Sequence, residues 1–306
     1  MFKKKIVQHP DFDRATKLVR ECHESAKDGL PVDNLKVLGP SGSGKTTVLT
    51  DYRDVYPRYE EHDRMVVPVL YTRIPSRPTI KKVVARMLRD LGSKYPEKGD
   101  EGARTYQLLT LLRECRTELL LVDEVQHLVD RGGKKTHALI ADWLKEVVDE
   151  FGGACVVAGL TRAQLLDAAN EQFARRFSSE ITLEKFEPAT EDGVEIIRGV
   201  QQELCANYKV ALAPSIDEAD LAARVAYATD GIMGYIIKMF AAAARRQLRD
   251  GLKHCDLNLF AEVFRAVIWE TAPDDRNPFI GNGIATRLTG VGEPFAPDAA
   301  AEGWDE

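Results

Sequence analysis

The sequence contains no apolar run approaching the ~20 residues that a membrane-spanning helix needs, so no membrane partner is expected. Its first residues, Met1-Phe2-Lys3-Lys4-Lys5, are positive but lack an apolar core behind them, which does not read as a secretory signal. Cysteine is sparse and scattered: Cys22, Cys115, Cys155, Cys205 and Cys255 form no Cys-x-x-Cys pair. That spacing suggests neither a zinc site nor a redox pair, and the odd count fits a reducing cytoplasm. Neither a metal-ligand cluster nor a nucleophile triad stands out. Nor is there an excess of positive charge. The net charge of −6 argues weakly against nucleic acid, although binding depends on a local basic face rather than on the sum.

The 306 residues, 44% of them apolar and 29% charged, suffice for one large α/β domain plus a smaller one. Apolar residues recur at helical spacing from Asp11 to Ser25. Short apolar runs follow at Asn34–Leu38, Met65–Tyr71, Leu119–Val122, Ala154–Gly159 and Ile181–Leu183. Helical patterns separate them at 45–56, Ile80–Leu91, Arg104–Arg116 and Thr136–Phe151. Pro68 pushes the second run towards a sheet edge or a strand start. This alternation predicts a parallel sheet with helices on both faces. From Pro188 the pattern becomes helical only, over Thr190–Tyr208, Ile216–Ala228, Ile232–Arg249 and Asp256–Glu270. After Thr271 the chain is rich in Gly, Pro, Asn and Asp. The expected organisation is therefore an α/β domain over 1–187, a small all-helical domain over 188–270 and a flexible acidic tail over 271–306.

One octapeptide carries specific chemistry. Gly39-Pro40-Ser41-Gly42-Ser43-Gly44-Lys45-Thr46 fits the phosphate-binding pattern G-x-x-x-x-G-K-[ST]. Glycines let successive backbone N–H groups face an anion, and the helix that begins here adds its positive end. Lys45 is expected to reach the β- and γ-phosphates of ATP, and the Thr46 hydroxyl to bind Mg2+. The apolar run ending in Asp123-Glu124 supplies the second half. Asp123 is expected to hold Mg2+ and Glu124 to polarise the attacking water as general base. At the tip of the next run, Thr161 is a candidate for orienting that water, with a helix N-cap as the alternative role. In Phe173-Ala174-Arg175-Arg176-Phe177, either Arg175 or Arg176 is a candidate finger reaching a neighbouring copy's γ-phosphate, against the alternative of a solvated face.

These motifs, in this order, resemble the AAA+ class, and within it the TniB and TnsC group of transposition ATPases related to MuB. The resemblance is carried by Leu38–Thr47, by Val122-Asp123-Glu124-Val125-Gln126-His127-Leu128, by Val157-Ala158-Gly159-Leu160-Thr161 and by Phe173–Phe186. It spans about residues 5–270. It implies a P-loop AAA+ three-layer α/β/α domain with a helical lid, and brings Thr47 into the nucleotide site. It further implies an ATPase that oligomerises, as ring or filament, on double-stranded DNA without reading sequence, and that contacts a transposase and a TniQ-type protein. The DNA face expected from it is a basic stripe of Arg77, Lys81, Lys82, Arg86, Arg89, Lys94, Lys98 and Arg104, with Lys134 and Lys135 as a second candidate. One departure concerns the lid. Where the class carries an arginine after a Gly-x-x-Gly turn, Gly231-Ile232-Met233-Gly234 is followed by Tyr235, and Lys238 is the candidate substitute. His9-Pro10 is weighed as an adenine contact against a plain turn. Two other readings remain open: a helicase-loader-like or origin-recognition-like AAA+ protein, and a secretion or signalling ATPase with a protein client. The stretch after the lid is short and Gly/Pro-rich for the winged helix of an origin binder. The three carboxylates of a transposase nuclease cannot be assigned, so the expected role is regulator rather than recombinase.

Overall fold

A computed structural model of the chain describes residues 6–129, 134–169, 171–283 and 286–296. The chain divides into two compact units. One is Pro10–Glu184, and the other combines the residues before Pro10 with those from Lys185 onward.

The first unit opens with α1 (Pro10–Lys27), followed by β1 (Leu35–Leu38) and α2 (Lys45–Val55). A short antiparallel hairpin of β2 (Tyr59–Glu61) and β3 (Arg64–Val66) comes next, then β4 (Val69–Arg73), α3 (Ile80–Leu91), α4 (Glu101–Glu114) and β5 (Leu119–Asp123). The unit closes with α5 (Lys134–Phe151), β6 (Ala154–Gly159), α6 (Leu165–Ala169), α7 (Glu171–Arg176) and β7 (Ser179–Thr182). The main sheet has the order β4-β5-β6-β1-β7, and every pairing in it is parallel. Strands β1, β5 and β6 are buried along their whole length. A parallel sheet buried this way is covered on both faces, which gives the three-layer α/β/α arrangement. Its core is mainly aliphatic, with Leu38, Leu70, Val84, Leu120, Val122 and Val157 among its members, joined by Trp143, Phe173 and Phe177.

Pro68 has the effect expected of it. It separates the hairpin from β4, and β4 is an edge strand. A proline has no N–H for a ladder, so it is tolerated just ahead of an edge strand. The expected single run Met65–Tyr71 is thus split, with Met65 and Val66 in the hairpin and Val69–Tyr71 in the main sheet, while β2, three polar-rich residues, has no counterpart in the sequence reading.

The second unit packs four helices: α8 (Glu191–Tyr208), α9 (Glu218–Thr229), α10 (Met233–Arg249) and α11 (Leu257–Val267). Three of them start with side-chain caps from Thr190, Asp217 and Asp256. Val7 belongs to this unit's core, so the residues just before Pro10 leave the α/β domain to which 1–187 assigned them.

The stretch beyond Thr271 also departs from expectation. As far as Ala296 it is folded onto the helices rather than free. Phe279 and Leu288 are buried in the helical core, and Phe279 stacks on Phe260. Arg224 donates to the carbonyls of Pro278 and Gly281, and Arg276 pairs with Glu293. Turns rich in Gly and Pro supply few ladder hydrogen bonds of their own, and here arginine side chains satisfy the carbonyls instead. The acidic end, 297–306, lies outside the described residues. No helix among the described residues is long and apolar enough to cross a membrane.

Candidate nucleotide site

The octapeptide connects the C-terminal end of β1 to α2, and β1 lies inside the sheet between β6 and β7, both of which come later in the chain. Open parallel sheets bind ligands at such ends. The loop's shape depends on glycine. Gly39 has φ 146°, and a Cβ on it would lie 2.4 Å from the Leu183 carbonyl oxygen. Gly44, at φ 105°, turns the chain into the first turn of α2. No other residue fits the first position, and a side chain strains the second.

Lys45 opens α2 and is buried. Its Nζ donates to the carbonyl oxygens of Gly39 at 2.8 Å and Pro40 at 2.7 Å. Burial pushes its pKa down, with the Asp123 and Glu124 charges acting in the opposite direction. Ser43 is buried beside it, Ser41 is exposed and Thr47 is half-buried.

The two motifs meet at Asp123, the last residue of β5, which is 1% exposed. Its Oδ2 accepts from Thr46 Oγ1 at 2.7 Å and from Tyr71 Oη at 2.9 Å, and its Oδ1 accepts from the Glu124 N–H at 2.9 Å. Arg73 lies 3.7 Å away. Tyr71 is a site residue that the sequence reading did not find. It sits on edge strand β4, with the Arg53 guanidinium 5.4 Å from its ring centroid. Burial, reinforced by the Asp123 charge, pushes its phenol up to about 12, so at neutral pH the hydroxyl is a donor. The register Arg73↔Asp123 fixes β4 against β5, and that pairing can be read only in three dimensions.

Glu124 takes the left-handed conformation, φ 63°, uncommon for a residue with a side chain. Its Oε2 accepts from Gln126 Nε2, and Gln126 Oε1 accepts from the Leu160 N–H at 3.2 Å. Thr161 is exposed at the start of a 3-10 turn, Thr161–Gln164, whose cap position is held by Leu160. The capping alternative for Thr161 is therefore not what the fold uses.

The arginine pair ends α7. Arg175 pairs with Glu171 of its own helix at 2.6 Å, and Arg176 with Asp149 at 2.9 Å; both stay largely exposed. Lys238 lies in the helical unit with its Nζ 4.8 Å from the Tyr235 ring centroid, and Phe295 meets the same ring edge-on. His9 is buried edge-on against Phe186 within that unit.

The basic stripe divides into two sets. Arg86 is taken up by Asp90, Arg89 by Glu97, and Arg104 by the carbonyls of Gly99, Lys81 and Glu97. These arginines brace α3 and the turn after it. Lys81, Lys82, Lys94 and Lys98 are exposed and carry no ion pair among the described residues, as does Arg77. The side chains of Lys134 and Lys135 lie outside the described residues.

Tested against a magnesium-bound nucleoside triphosphate, the residues fit. A loop whose first glycine, Gly39, has no room for a Cβ, a desolvated ammonium among carbonyls, and a hydroxyl and carboxylate sharing one hydrogen bond form a donor set for phosphate and a hard cation.

The profile of the family described as Bacterial TniB protein matches residues 2–188. The chain belongs to the TniB family. Solved structures with a similar fold include Aeropyrum pernix ORC2, at 14% identity and TM-score 0.64, where the match covers 90% of this TniB-family chain and 74% of the other. Aeropyrum pernix ORC1 in complex with DNA matches at 18% identity and TM-score 0.59, covering 86% and 67%. The Thermotoga maritima RuvB Holliday junction branch migration motor matches at 15% and 0.54, covering 86% and 73%. At these identities the likeness establishes the fold, which is that of P-loop AAA+ ATPases. No curated protein matches the chain.

Proposed function

We propose that this TniB-family chain is an ATP-hydrolysing AAA+ regulator of transposition, which assembles on double-stranded DNA and there engages a transposase, with a TniQ-type protein as a further partner. The observation that carries the ATPase part is the 2.7 Å hydrogen bond from Thr46 to Asp123, which joins the phosphate loop to the acidic strand end. Family membership supports the transposition part.

In this reading the loop Gly39–Gly44 binds the phosphates through the backbone N–H groups of Ser41, Gly42, Ser43 and Gly44, while Gly39 and Pro40, the latter without an N–H, shape its start. Lys45 leaves the loop carbonyls to meet the phosphates, and Thr47 lines the site. Thr46 and Asp123 hold magnesium, which supplies positive charge against the phosphate oxygens when bound. Glu124 takes the proton of the attacking water. Thr161 orients that water, and Arg175 or Arg176 reaches the site of a neighbouring copy. Lys238 takes the place of the missing lid arginine. The exposed lysines 81, 82, 94 and 98 contact DNA phosphates, while Arg86, Arg89 and Arg104 hold the surface that presents them.

The test is electron microscopy of the protein on random double-stranded DNA, with and without ATP. Regular rings or filaments are expected with ATP, lost in Lys45→Ala and persistent in Glu124→Gln. Absence of assembly on DNA with any nucleotide would overturn the reading and leave an ATPase with a protein client.

A further inference from the structure

Gln126 is an unusual residue to find where it is. It follows β5 by three positions, is 3% exposed, and has both ends of its amide in use. A buried primary amide is costly to desolvate unless both its donor and its acceptor are met. Here the NH2 end donates to the Glu124 carboxylate, and the carbonyl end accepts from the Leu160 backbone. The space for it is made by an absence. A Cβ on Gly159, the last residue of β6, would lie 2.8 Å from Gln126 Oε1 and 2.9 Å from a Val125 methyl. Gly159 is not in a left-handed conformation, so close approach and not backbone freedom explains the glycine.

We propose that Gln126 is a positioning residue for hydrolysis: its amide fixes the Glu124 carboxylate and ties it to the tip of β6, in a niche that Gly159 leaves open. The inference rests on the reading of Glu124 as the group that takes the water's proton. Glu124 stands half-buried in a left-handed conformation at a strand end, a backbone geometry that does not by itself fix the side chain's rotamer. A donor anchored on a separate strand supplies that choice. It also means that the carboxylate and the turn carrying Thr161 move together, since Leu160 immediately precedes that turn. A group held this way reacts from a defined position, and loss of such a supporting partner typically lowers activity by about 10- to 100-fold.

Two variants separate this role from mere packing. Gln126→Glu keeps the size and the acceptor for Leu160 but replaces the donor that faces Glu124. Gly159→Ala leaves Gln126 chemically intact and displaces it. Steady-state hydrolysis on DNA, binding of a non-hydrolysable ATP analogue, and thermal melting are measured for each. The expected result is a kcat lower by roughly 10- to 100-fold in both, with KM and analogue affinity within about threefold of the parent and a cooperative melt retained. An unchanged or raised kcat in the folded variants overturns the proposal. So does a loss of analogue affinity in step with kcat, which would mark a packing role. If Gln126→Glu does not fold, Gly159→Ala decides. Parent protein that binds ATP without hydrolysing it on DNA would overturn the hydrolysis reading itself, whereas parental turnover with both variants intact overturns only the role of Gln126.

Discussion

Two nearly buried aspartates, one in each unit, organise their surroundings in opposite ways. Asp123 collects neutral donors: the Thr46 hydroxyl, the Tyr71 hydroxyl and the Glu124 N–H, with its arginine held off at 3.7 Å. Asp230, at the end of α9, collects cations. Lys185 reaches it at 2.8 Å, and Arg287 at 2.7 and 2.9 Å, while Arg287 also meets Glu187. A carboxylate met at hydrogen-bond distance by neutral donors alone keeps room beside it for the cation that the proposed function places there. A carboxylate already neutralised by an ammonium and a guanidinium has nothing to offer a ligand. In the proposed function the first arrangement is a site; the second is a lock, which pins the segment after Thr271 to the turn between α9 and α10. At that turn Gly231 has no room for a Cβ, which would fall 1.7 Å from the Phe186 carbonyl oxygen.

The comparison breaks most visibly if the two aspartates are exchanged for neutral or truncated residues. Asp123→Asn should lower hydrolysis by about 10³-fold, or ~4 kcal/mol of barrier, and leave the melting temperature close to the parent's, since the one cation that loses it, Arg73, is half-exposed and already 3.7 Å away. Asp230→Ala should do the reverse. Removing one member of a buried ion cluster costs about 3–5 kcal/mol when the remaining charges stay buried. Lys185 and Arg287 are about a third exposed, so a loss of about 2 kcal/mol in urea denaturation of the helical unit is expected, with analogue binding retained. Loss of stability in Asp123→Asn, or of binding in Asp230→Ala, would show that the division into site and lock is false.

A smaller change sharpens what neutral donors do. Tyr71→Phe removes one of two hydroxyls from Asp123 Oδ2 without a change of shape. A hydrogen bond to a charged group is worth about 1.5–3 kcal/mol, and Thr46 remains, so the expected effect lies at the low end. Hydrolysis should fall roughly tenfold, and the magnesium concentration for half-maximal rate should rise. A rate unchanged at every magnesium concentration would remove Tyr71 from the site.

How far the sequence alone reaches follows the same line. The loop and the acidic strand end were legible because each is a contiguous run whose residue types are dictated by phosphate and cation chemistry. The sheet was legible because β1, β5 and β6 are buried on both faces and read as unbroken apolar runs. Tyr71 was not, since its partner is 52 residues away and nothing in Val-Leu-Tyr-Thr-Arg marks it. Gln126 left a faint signal: an amide two residues after the carboxylate proposed as general base, with a glycine ending a later strand. The segment after Thr271 misled because composition reports on regular elements. Phe279, Leu288 and Arg287 pack it without any, through side chains that a count of Gly and Pro does not weigh.

The smallest expected effect concerns a third buried group, under the helix that follows the loop. His23 of α1 is fully buried, with Nδ1 3.0 Å from the Tyr52 hydroxyl and Nε2 3.0 Å from Glu118 Oε2; the Tyr56 ring stands against it, and Lys27 also reaches Glu118. Burial lowers its pKa below the ordinary 6.5, although the Glu118 carboxylate pulls the other way. The unfolded chain therefore takes up a proton near 6.5 while the folded chain resists it, so the unfolded state binds more protons in that window. The stability this group contributes is complete above 6.5, declines as the pH falls from there to the folded-state pKa, and is flat below it. Gln in this position can accept from Tyr52 and donate to Glu118 but cannot titrate. In urea denaturation between about pH 8 and pH 5, His23→Gln should lose the part of the acid slope that lies just below neutrality. A slope identical to the parent's would mean that His23 takes up its proton equally in the folded and unfolded states, and that the acid sensitivity of this unit comes from its carboxylates.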